Sequence, residues 1–190
     1  MFYVFIIIAY LLGSISPSII QGRLAGIDIK KEGSGNAGAT NTLRVLGKKA
    51  ALITLIVDIC KGVAAVLLGG IEGSLCSYLC ALAVFIGHIW PVFFKFKGGK
   101  GVATAFGAIV AVNWKVGLIA LAIAVILTLV TKRMSVGSIA AALGMVAMTL
   151  IFEKAFWPYG AVIALIIIIK HHANIRRLIK GEEPPINFKK

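Results

Sequence analysis

Long apolar segments alternate with short polar ones along the whole chain of 190 residues. A helix needs about 20 mostly apolar residues to cross a hydrocarbon core roughly 30 Å thick. Most of these segments approach that length. The pattern therefore predicts an all-α integral membrane protein, a polytopic bundle of about seven transmembrane helices. The predicted spans are Phe2–Ile20, Ala50–Gly69, Leu75–Phe94, Val102–Val112, Val116–Val130, Ser135–Phe152 and Ala155–Ile169.

The run Val102–Val112 is too short for a full crossing, because it would extend only about 17 Å as a helix. With Val116–Val130 it forms either two shortened spans or one re-entrant hairpin, and both alternatives return the chain to the same side. We expect a single transmembrane domain over residues 1–190. Its polar, motif-bearing segments are 21–49, 95–101, 131–135 and 170–190.

Basic residues outnumber acidic ones by 20 to 7, which gives a net charge of +13. Such an excess is typical of proteins that bind nucleic acid or an anionic surface. In the predicted topology, however, 17 of the 20 positive charges lie on one face, and the exceptions are Lys61, Lys115 and Lys154. The positive-inside rule makes that face cytoplasmic, with the N-terminus outside and the C-terminus inside. This distribution argues against a nucleic-acid partner.

Composition supports the same class. Apolar residues make up 59% of the chain, and the mean hydropathy is +0.98, above the usual range of soluble domains. Since no Lys or Arg precedes Arg23, we interpret the first span as a retained helix and not as a signal peptide. Few acidic residues fall on the cytoplasmic face and they form no cluster, so we predict neither a metal nor another cofactor.

The segment from Gly33 to Arg44 is rich in glycine and in small polar residues. Glycine lets backbone N–H groups approach an anion closely, and Ser, Asn and Thr side chains add neutral donors. Arg44 offers a planar guanidinium suited to phosphate oxygens. The segment lacks the Gly-Lys-Ser/Thr ending of a P-loop, and the alternative is a flexible linker. The predicted substrate-binding residues here are Gly33, Ser34, Gly35, Asn36, Thr40, Asn41 and Arg44.

A second basic and glycine-rich segment, Lys95–Gly101, comes directly before the short apolar run at Val102. Backbone donors at a helix N-terminus attract anions. A short helix that ends at the outer surface begins below the inner interface, where a lysine is costly without an anionic partner. The alternative is ordinary positive-inside charge with extended lysines. The predicted substrate-binding residues here are Lys97, Gly98, Gly99 and Lys100.

Two further groups of polar residues lie near the ends of later spans. His171 and Asn174 are three residues apart and share a helical face, so they could move a proton or orient a substrate. An ordinary interfacial histidine is the alternative. Ser135 is expected to cap the helix that follows it.

Charged residues also occur inside the spans. Asp58 and Lys61 are three apart, and we interpret them as a structural ion pair because buried charges are costly unless they pair. His88 lies near Pro91 and is expected to be an interior histidine with hydrogen-bond partners. Cations, small donors and few carboxylates together predict a site for multiply anionic substrates. Its position at the membrane surface indicates that one substrate is a lipid or becomes one.

The motifs follow one another in a definite order along nearly the whole chain. They are Ala9–Ile15, Gly33–Arg44, Gly47–Ala50, Asp58–Gly62, Gly87–Thr104 and the closing set His171, Asn174, Ile175, Arg177, Leu178, Gly181 and Glu183. In this order they closely resemble the bacterial acyl-phosphate:glycerol-3-phosphate acyltransferases, a family of small polytopic membrane enzymes. Ser16–Ser18 and Lys180–Glu182 are less typical of that family.

The resemblance implies transfer of a fatty acyl group from acyl phosphate to the 1-hydroxyl of glycerol 3-phosphate. The products would be lysophosphatidic acid and inorganic phosphate, at the first step of phospholipid synthesis. The family resembled works in the bacterial cytoplasmic (inner) membrane with these two small-molecule substrates. It uses neither acyl-CoA nor acyl carrier protein as donor, and no obligate protein partner is evident.

The resemblance and the chemistry together assign roles to the candidate residues. Arg44, Lys100, Asn174 and His171 would hold glycerol 3-phosphate. Ser34, Asn36 and Thr40 in the first loop would bind acyl phosphate and stabilise an oxyanion. The base is either His171 or a substrate phosphate oxygen. Ser34 is disfavoured as a covalent nucleophile, because no base lies nearby in sequence and the donor is already activated. The predicted catalytic residues are Ser34, Lys100, His171 and Asn174.

A transporter of phosphorylated metabolites is the main alternative, since cationic sites beside broken helices also suit an anion carrier. Against it, the sequence shows no inverted repeat, and the polar motifs gather on one face. A phosphotransferase of the CDP-alcohol type is disfavoured because the aspartates that would hold its metal are lacking.

Overall fold

The structure is a computed structural model that describes residues 1–186. It contains two compact units, Met1–Val112 and the chain from Asn113 onward. Every regular element in residues 1–186 is a helix, which confirms the predicted all-α class. Residues 187–190, the end of the predicted segment 170–190, lie outside the described part. The single domain over residues 1–190 stays a prediction.

The first unit contains six α-helices and one short 3-10 helix. Two of the α-helices have only eight residues, and they flank the glycine-rich loop after the first span. The helices are α1 (Phe2–Ser14), α2 (Pro17–Leu24), α3 (Ala39–Leu46), α4 (Lys48–Gly70), α5 (Ser74–Ile89), a 3-10 turn (Val92–Phe94) and α6 (Val102–Val112).

Prolines divide two of the predicted continuous spans. Pro17 occupies the first turn of α2, a position that suits proline because the N–H there has no intrahelical partner. The predicted span Phe2–Ile20 is therefore two helices. Within the predicted span Leu75–Phe94, the α-helix likewise ends at Ile89, two residues before Pro91. Residues before proline disfavour the helical conformation, which explains this end.

Glycines bring the helices of the first unit close together. A methyl group added at Gly62 of α4 would collide with the carbonyl of Thr104 on α6, and Gly107 faces α4 in the same way. The same close approach joins α1 to α5 at Gly13 and Gly87. Small residues of this kind let membrane helices pack backbone to backbone.

Up to residue 186, the second unit contains four α-helices and one 3-10 helix. The Asn113 side chain caps the first of them by accepting the backbone N–H groups of Lys115 and Val116 at 3.1 and 3.4 Å. Its amide nitrogen donates to Glu153 Oε2 at 3.1 Å. The helices are α7 (Trp114–Thr131), α8 (Met134–Phe152), a 3-10 turn (Lys154–Phe156), α9 (Trp157–Lys170) and α10 (His172–Ile179).

Five helical segments within residues 1–186 are long and apolar enough to cross a membrane. A sixth candidate is the pair Lys154–Lys170 and His172–Ile179, which is bent by 56°. The shorter apolar helix α6 has 11 residues. The total of seven spans, the hairpin alternative and the orientation of the termini stay predictions.

Candidate active site

The first glycine-rich loop is held by the side chain of Asn41, which lies on α3 and is fully buried. Its Oδ1 atom accepts the backbone N–H of Ser34 at 2.8 Å. Its amide nitrogen donates to the carbonyls of Ile29 and Glu32, each at 3.0 Å. The amide thus has its oxygen and its nitrogen engaged within the loop. A direct contact between Asn41 and a substrate stays a prediction.

Two glycines give this loop its shape. Gly33 and Gly35 have φ values of 60° and 69°, in the left-handed region that side chains disfavour. A methyl group on Gly33 would also collide with Asn41 Oδ1. Ser34 lies between the two glycines and is exposed, so the loop presents its hydroxyl on a backbone of fixed shape.

The loop leads into α3, which carries two further candidate residues. The Gly38 carbonyl accepts the N–H of Thr42 at 3.0 Å and so begins the helix. Thr40 and Arg44 are four residues apart on α3 and therefore share one face. Arg44 is exposed, whereas Thr40 and Asn36 are half-buried. The helix thus carries one cation and one hydroxyl on the same face at the end of this loop.

The second glycine-rich segment packs against the end of α5 and against the first loop. The backbone N–H groups of Gly98 and Gly99 donate to the carbonyls of Ile89 and His88 at 3.1 and 3.2 Å. A methyl group on Gly99 would collide with both His88 Nε2 and the Ala37 carbonyl. The two loops therefore meet at Gly99 and Ala37. Since these two N–H groups are engaged with carbonyls, substrate contacts at Gly98 and Gly99 stay predictions.

Lys100 follows directly, is half-buried, and lies two residues before α6 begins. Gly101 has a φ of 80°, and a methyl group there would collide with the Phe85 ring. The Gly101 carbonyl accepts the N–H of Ala105 at 2.8 Å. The first N–H groups of a helix have no intrahelical partner and favour a nearby anion. Lys97, by contrast, is exposed and lines a cavity with residues of α2 and of the loop after it.

A buried network of four polar side chains supports this region. Lys61 Nζ lies 2.8 Å from Asp58 Oδ1, which confirms the predicted ion pair. The same ammonium donates to two carbonyls at the end of α1, at 3.0 and 2.8 Å. His88 Nδ1 lies 2.9 Å from Lys61 Nζ and 3.1 Å from Thr104 Oγ1. The network thus joins α1, α4, α5 and α6 close to the start of α6.

In the second unit, His171 lies at the bend between α9 and α10 and is 3% exposed. Its Nδ1 atom is 2.8 Å from the Ile167 carbonyl. A carbonyl only accepts, so Nδ1 carries the proton, and Nε2 is left as the acceptor in the neutral ring. His172 points elsewhere and is exposed. The hydrogen bond thus fixes the tautomer of His171, and a role as general base stays a prediction.

Asn174 belongs to a network around Glu183 that sequence reasoning did not identify. The Asn174 amide donates to Glu183 Oε1 at 2.6 Å. Arg177 Nε donates to Glu183 Oε2 at 2.7 Å, and Ser135 Oγ donates to Oε1 at 2.8 Å. The expected capping role of Ser135 is therefore wrong, and α8 has no side-chain cap. Ser135 instead binds a carboxylate that is distant in sequence.

The environment of Glu183 favours its charged form. Burial raises the pKa of the carboxyl, but hydrogen bonds from Asn174, Ser135 and Arg177 and the charge of Arg177 oppose this. The net result is a pKa below the ordinary value of 4.5. The Glu183 carbonyl also accepts from Arg133 Nε at 3.1 Å. Glu183 thus ties the segment after α10 to the start of α8.

Within residues 1–186, no group of three or more His, Cys, Asp and Glu side chains is placed to hold a metal ion.

The apolar helices and the polar loops at their ends define a multi-pass integral membrane protein. The profile of the glycerol-3-phosphate acyltransferase family matches residues 3–181, and the chain belongs to this family.

Relatives of similar length match nearly the whole chain. A glycerol-3-phosphate acyltransferase of Clostridioides difficile (strain 630) is 43% identical over 197 aligned positions, which cover 97% of this chain and 95% of the relative. One of Thioalkalivibrio sulfidiphilus (strain HL-EbGR7) is 46% identical over 186 positions, which cover 95% of this chain and 92% of the relative.

Solved structures agree with the fold. The crystal structure of PlsY (YgiH), an integral membrane glycerol 3-phosphate acyltransferase, in its glycerol 3-phosphate form superposes with a TM-score of 0.94 at 36% identity. Its lysophosphatidic acid form gives a TM-score of 0.91 at 35% identity. Each match covers 98% of this chain and 96% of the other.

Proposed function

We propose that the protein transfers a fatty acyl group from acyl phosphate to the 1-hydroxyl of glycerol 3-phosphate. The products are lysophosphatidic acid and inorganic phosphate, and the reaction takes place at the bacterial cytoplasmic (inner) membrane. The relatives named above are glycerol-3-phosphate acyltransferases. PlsY has been solved in a glycerol 3-phosphate form and in a lysophosphatidic acid form. These names support the acceptor and the product.

The observation that carries the proposal is the meeting of the two glycine-rich loops at Ala37 and Gly99. One loop carries Ser34 and leads to Arg44, and the other leads to Lys100. Cations and neutral hydrogen-bond donors therefore lie on or beside two glycine-rich loops, whose backbone is not covered by large side chains. This is the chemistry that two phosphorylated substrates require.

The reaction itself needs little from the protein beyond placement and charge stabilisation. The carbonyl of acyl phosphate is already activated, because phosphate is a good leaving group. The 1-hydroxyl oxygen of glycerol 3-phosphate attacks the carbonyl carbon, and the bond from that carbon to the phosphate oxygen breaks. The hydroxyl proton passes to a base, and phosphate leaves with the electron pair. Holding both substrates in line supplies most of the rate enhancement.

The candidate residues divide between the two substrates. Arg44 and Lys100 neutralise the phosphate of glycerol 3-phosphate, and Asn174 and His171 orient it. The loop from Gly33 to Asn36 and the hydroxyl of Thr40 bind acyl phosphate and stabilise the oxyanion. We assign Asn41 to shaping this loop, because its amide is engaged within it. Lys97 lines the cavity next to α2, and its contact with a substrate stays a prediction.

The base is His171 or a phosphate oxygen of the substrate. The hydrogen bond from Nδ1 to the Ile167 carbonyl supports His171, because it leaves Nε2 able to accept a proton. A His171→Ala variant with near-normal turnover at saturating acceptor would leave the substrate phosphate as the base. Ser34 is assigned to binding and not to covalent catalysis, because the donor needs no second activation.

The test uses purified protein in detergent with glycerol 3-phosphate and either palmitoyl phosphate or palmitoyl-CoA. Released phosphate and lysophosphatidic acid are measured together. We expect equal amounts of both products from palmitoyl phosphate only, and loss of both in Lys100→Ala. The matched control is Lys48→Ala, which removes an exposed lysine outside both loops. Product from palmitoyl-CoA alone would contradict acyl phosphate as the donor. No product from folded protein with either donor would favour a transporter.

A further inference from the structure

A cavity of about 500 Å³ lies within the Met1–Val112 unit, between α2, the loop after it and the turn after α5. Its lining contains one carboxylate, Asp28, whose Oδ1 accepts the backbone N–H of Lys30 at 3.1 Å. Basic side chains from all three segments surround the cavity, so its lining is strongly positive. These residues are Arg23, Lys30, Lys95 and Lys97.

One wall of the cavity is apolar and orients the arginine. The guanidinium carbon of Arg23 lies 5.0 Å from the centroid of the Phe94 ring. Phe94 and Ile19 are almost completely buried and belong to one apolar cluster. Stacking on an aromatic face holds the guanidinium plane and leaves the N–H groups at its edge available. Arg23 is therefore preorganised to bind an oxyanion.

The cations of the cavity also repel one another. Lys30 is half-buried, and its Nζ lies 3.5 Å from the Phe94 carbonyl. Burial lowers the pKa of Lys30, the charge of Asp28 opposes this, and the charges of Arg23 and Lys97 lower it further. A bound anion would relieve this repulsion.

The turn that supplies two of the lysines has an unusual backbone. Lys95 and Phe96 have φ values of 55° and 57°, in the left-handed region that residues other than glycine seldom adopt. The turn is closed by hydrogen bonds from Phe96 N to the Pro91 carbonyl at 3.0 Å and from Lys97 N to the Phe94 carbonyl at 3.2 Å. Strained backbone of this kind concentrates at functional sites. Here it holds one cavity lysine, Lys95, at a position that glycine would adopt more easily.

The cavity shares a loop segment with the candidate active site, and among the predicted site residues Lys97 lines it. A methyl group on Gly35 would lie 3.0 Å from the Lys30 carbonyl, and the Ile29 carbonyl accepts from the Asn41 amide. The same loop segment therefore lines the cavity and supports the first glycine-rich loop. The lining residues do not include Ser34, Arg44 or Lys100.

We propose that this cavity binds the phosphate headgroup of an anionic membrane lipid, as a site additional to the substrate site. A phosphate is the group that an oriented guanidinium and three ammonium groups recognise best. The cavity has room for a headgroup, and apolar side chains beside it in sequence are exposed for contact with acyl chains. These are Leu24, Val92 and Phe93, which are 84%, 40% and 57% exposed.

The experiment is native mass spectrometry of the whole protein in neutral detergent, titrated with dioleoyl phosphatidic acid. The double variant Arg23→Gln/Lys95→Gln removes two charges from the cavity. Lys48→Gln/Lys49→Gln removes the same charge at exposed positions at the start of α4. We expect the affinity for phosphatidic acid to fall about tenfold or more in the first variant. In the second it should fall less than about twofold, since exposed charges contribute little.

A parallel titration with inorganic phosphate distinguishes the source of the phosphate group. We expect it to compete only weakly, because it lacks the acyl chains. Inorganic phosphate that binds as tightly as phosphatidic acid would overturn the lipid assignment. Equal losses of affinity for phosphatidic acid in both double variants, or no loss in either, would overturn the proposal that this cavity binds the lipid.

A single variant tests the proposal if the double variant fails to fold. Lys97→Gln changes one exposed side chain and leaves the stacked Arg23 and Phe94 in place. We expect it to weaken binding about threefold at an unchanged unfolding temperature. Unchanged affinity in folded Lys97→Gln would contradict the proposal. The measurement is of binding alone, so its result is independent of whether the protein transfers acyl groups.

Discussion

Two hydrogen-bonded networks in this protein are each built around one carboxylate, and their surroundings differ. Asp58 lies between the helices of the first unit, where its side chain is 2% exposed and that of its partner Lys61 is 5% exposed. Glu183 lies on the segment after α10 and is itself buried, but the side chain of its partner Arg177 is 35% exposed. The first network joins four helices, and the second ties one segment and Asn174 to α8.

Because the two networks differ in their access to water, we expect them to respond differently to mutation. A charge left alone between membrane helices has no access to water, so the helices themselves should separate. A donor left alone beside Glu183 can turn toward solvent, since the network is at a helix end. We therefore expect the Asp58 network to determine stability, and the Glu183 network to determine the placement of Asn174.

Breaking the first network should give the largest effect. Lys61→Met leaves Asp58 as an uncompensated charge and removes the donor of two carbonyls at the end of α1. We expect a loss of about 3–5 kcal/mol in the free energy of unfolding. Thermal unfolding in detergent measures this loss. The double variant Asp58→Asn/Lys61→Met should lose less than the two single variants added together, and strict additivity would contradict a paired role.

A change at Gly99 tests whether the first network reaches the active site. The added methyl group of Gly99→Ala would press on His88, which belongs to that network, and on Ala37 in the first loop. We expect acyl transfer to fall about tenfold to a hundredfold, because small displacements of binding groups are costly. The matched control is Gly70→Ala, where nothing lies within 4 Å of the added atom. Equal activity of the two variants would separate the network from catalysis.

The second network should give a smaller loss of stability that depends on pH. Glu183→Gln removes the charge that Arg177 and Asn174 meet, at a cost of about 1–3 kcal/mol. Because the folded-state pKa of Glu183 lies below 4.5, its contribution is complete above that value and is lost as the pH falls through the folded-state pKa. The unfolding temperatures of the unmodified protein and of Glu183→Gln, measured from about pH 7 to pH 3, should therefore converge at the acidic end.

A difference between the two proteins that stays constant over that range would mean that the charge of Glu183 contributes nothing. The KM for glycerol 3-phosphate adds a second readout. It should rise in Glu183→Gln, because the neutral amide of glutamine holds Asn174 less firmly than the carboxylate does.

Sequence reasoning succeeded where one segment carries the whole signal. Apolar runs predicted the helices to within a few residues, because the membrane requires continuous apolar length. The spacing of Asp58 and Lys61 predicted their ion pair, because residues three apart meet on a helix. The division at Pro17 was missed, although proline is a known sign of a helix boundary.

Contacts between distant segments were not predictable in the same way. Ser135 and Glu183 are 48 residues apart, and helix periodicity gives no information about such pairs. The position of Thr104 beside His88 depends on how α5 and α6 pack. The composition of its segment predicted that Asn41 contacts substrate, and this contact stays a prediction. The sequence did not predict that Asn41 is buried on α3 and holds the loop.

An isotope-labelling experiment follows the oxygen of the acceptor through acyl transfer. Glycerol 3-phosphate labelled with ¹⁸O at its 1-hydroxyl is incubated with palmitoyl phosphate and the purified protein, and the products are weighed by mass spectrometry. Attack on the carbonyl carbon predicts that the label is retained in the ester of lysophosphatidic acid, while the released phosphate is unlabelled. Palmitoyl phosphate that is consumed without labelled lysophosphatidic acid, or with the label in a new phosphate ester, would contradict acyl transfer by this site.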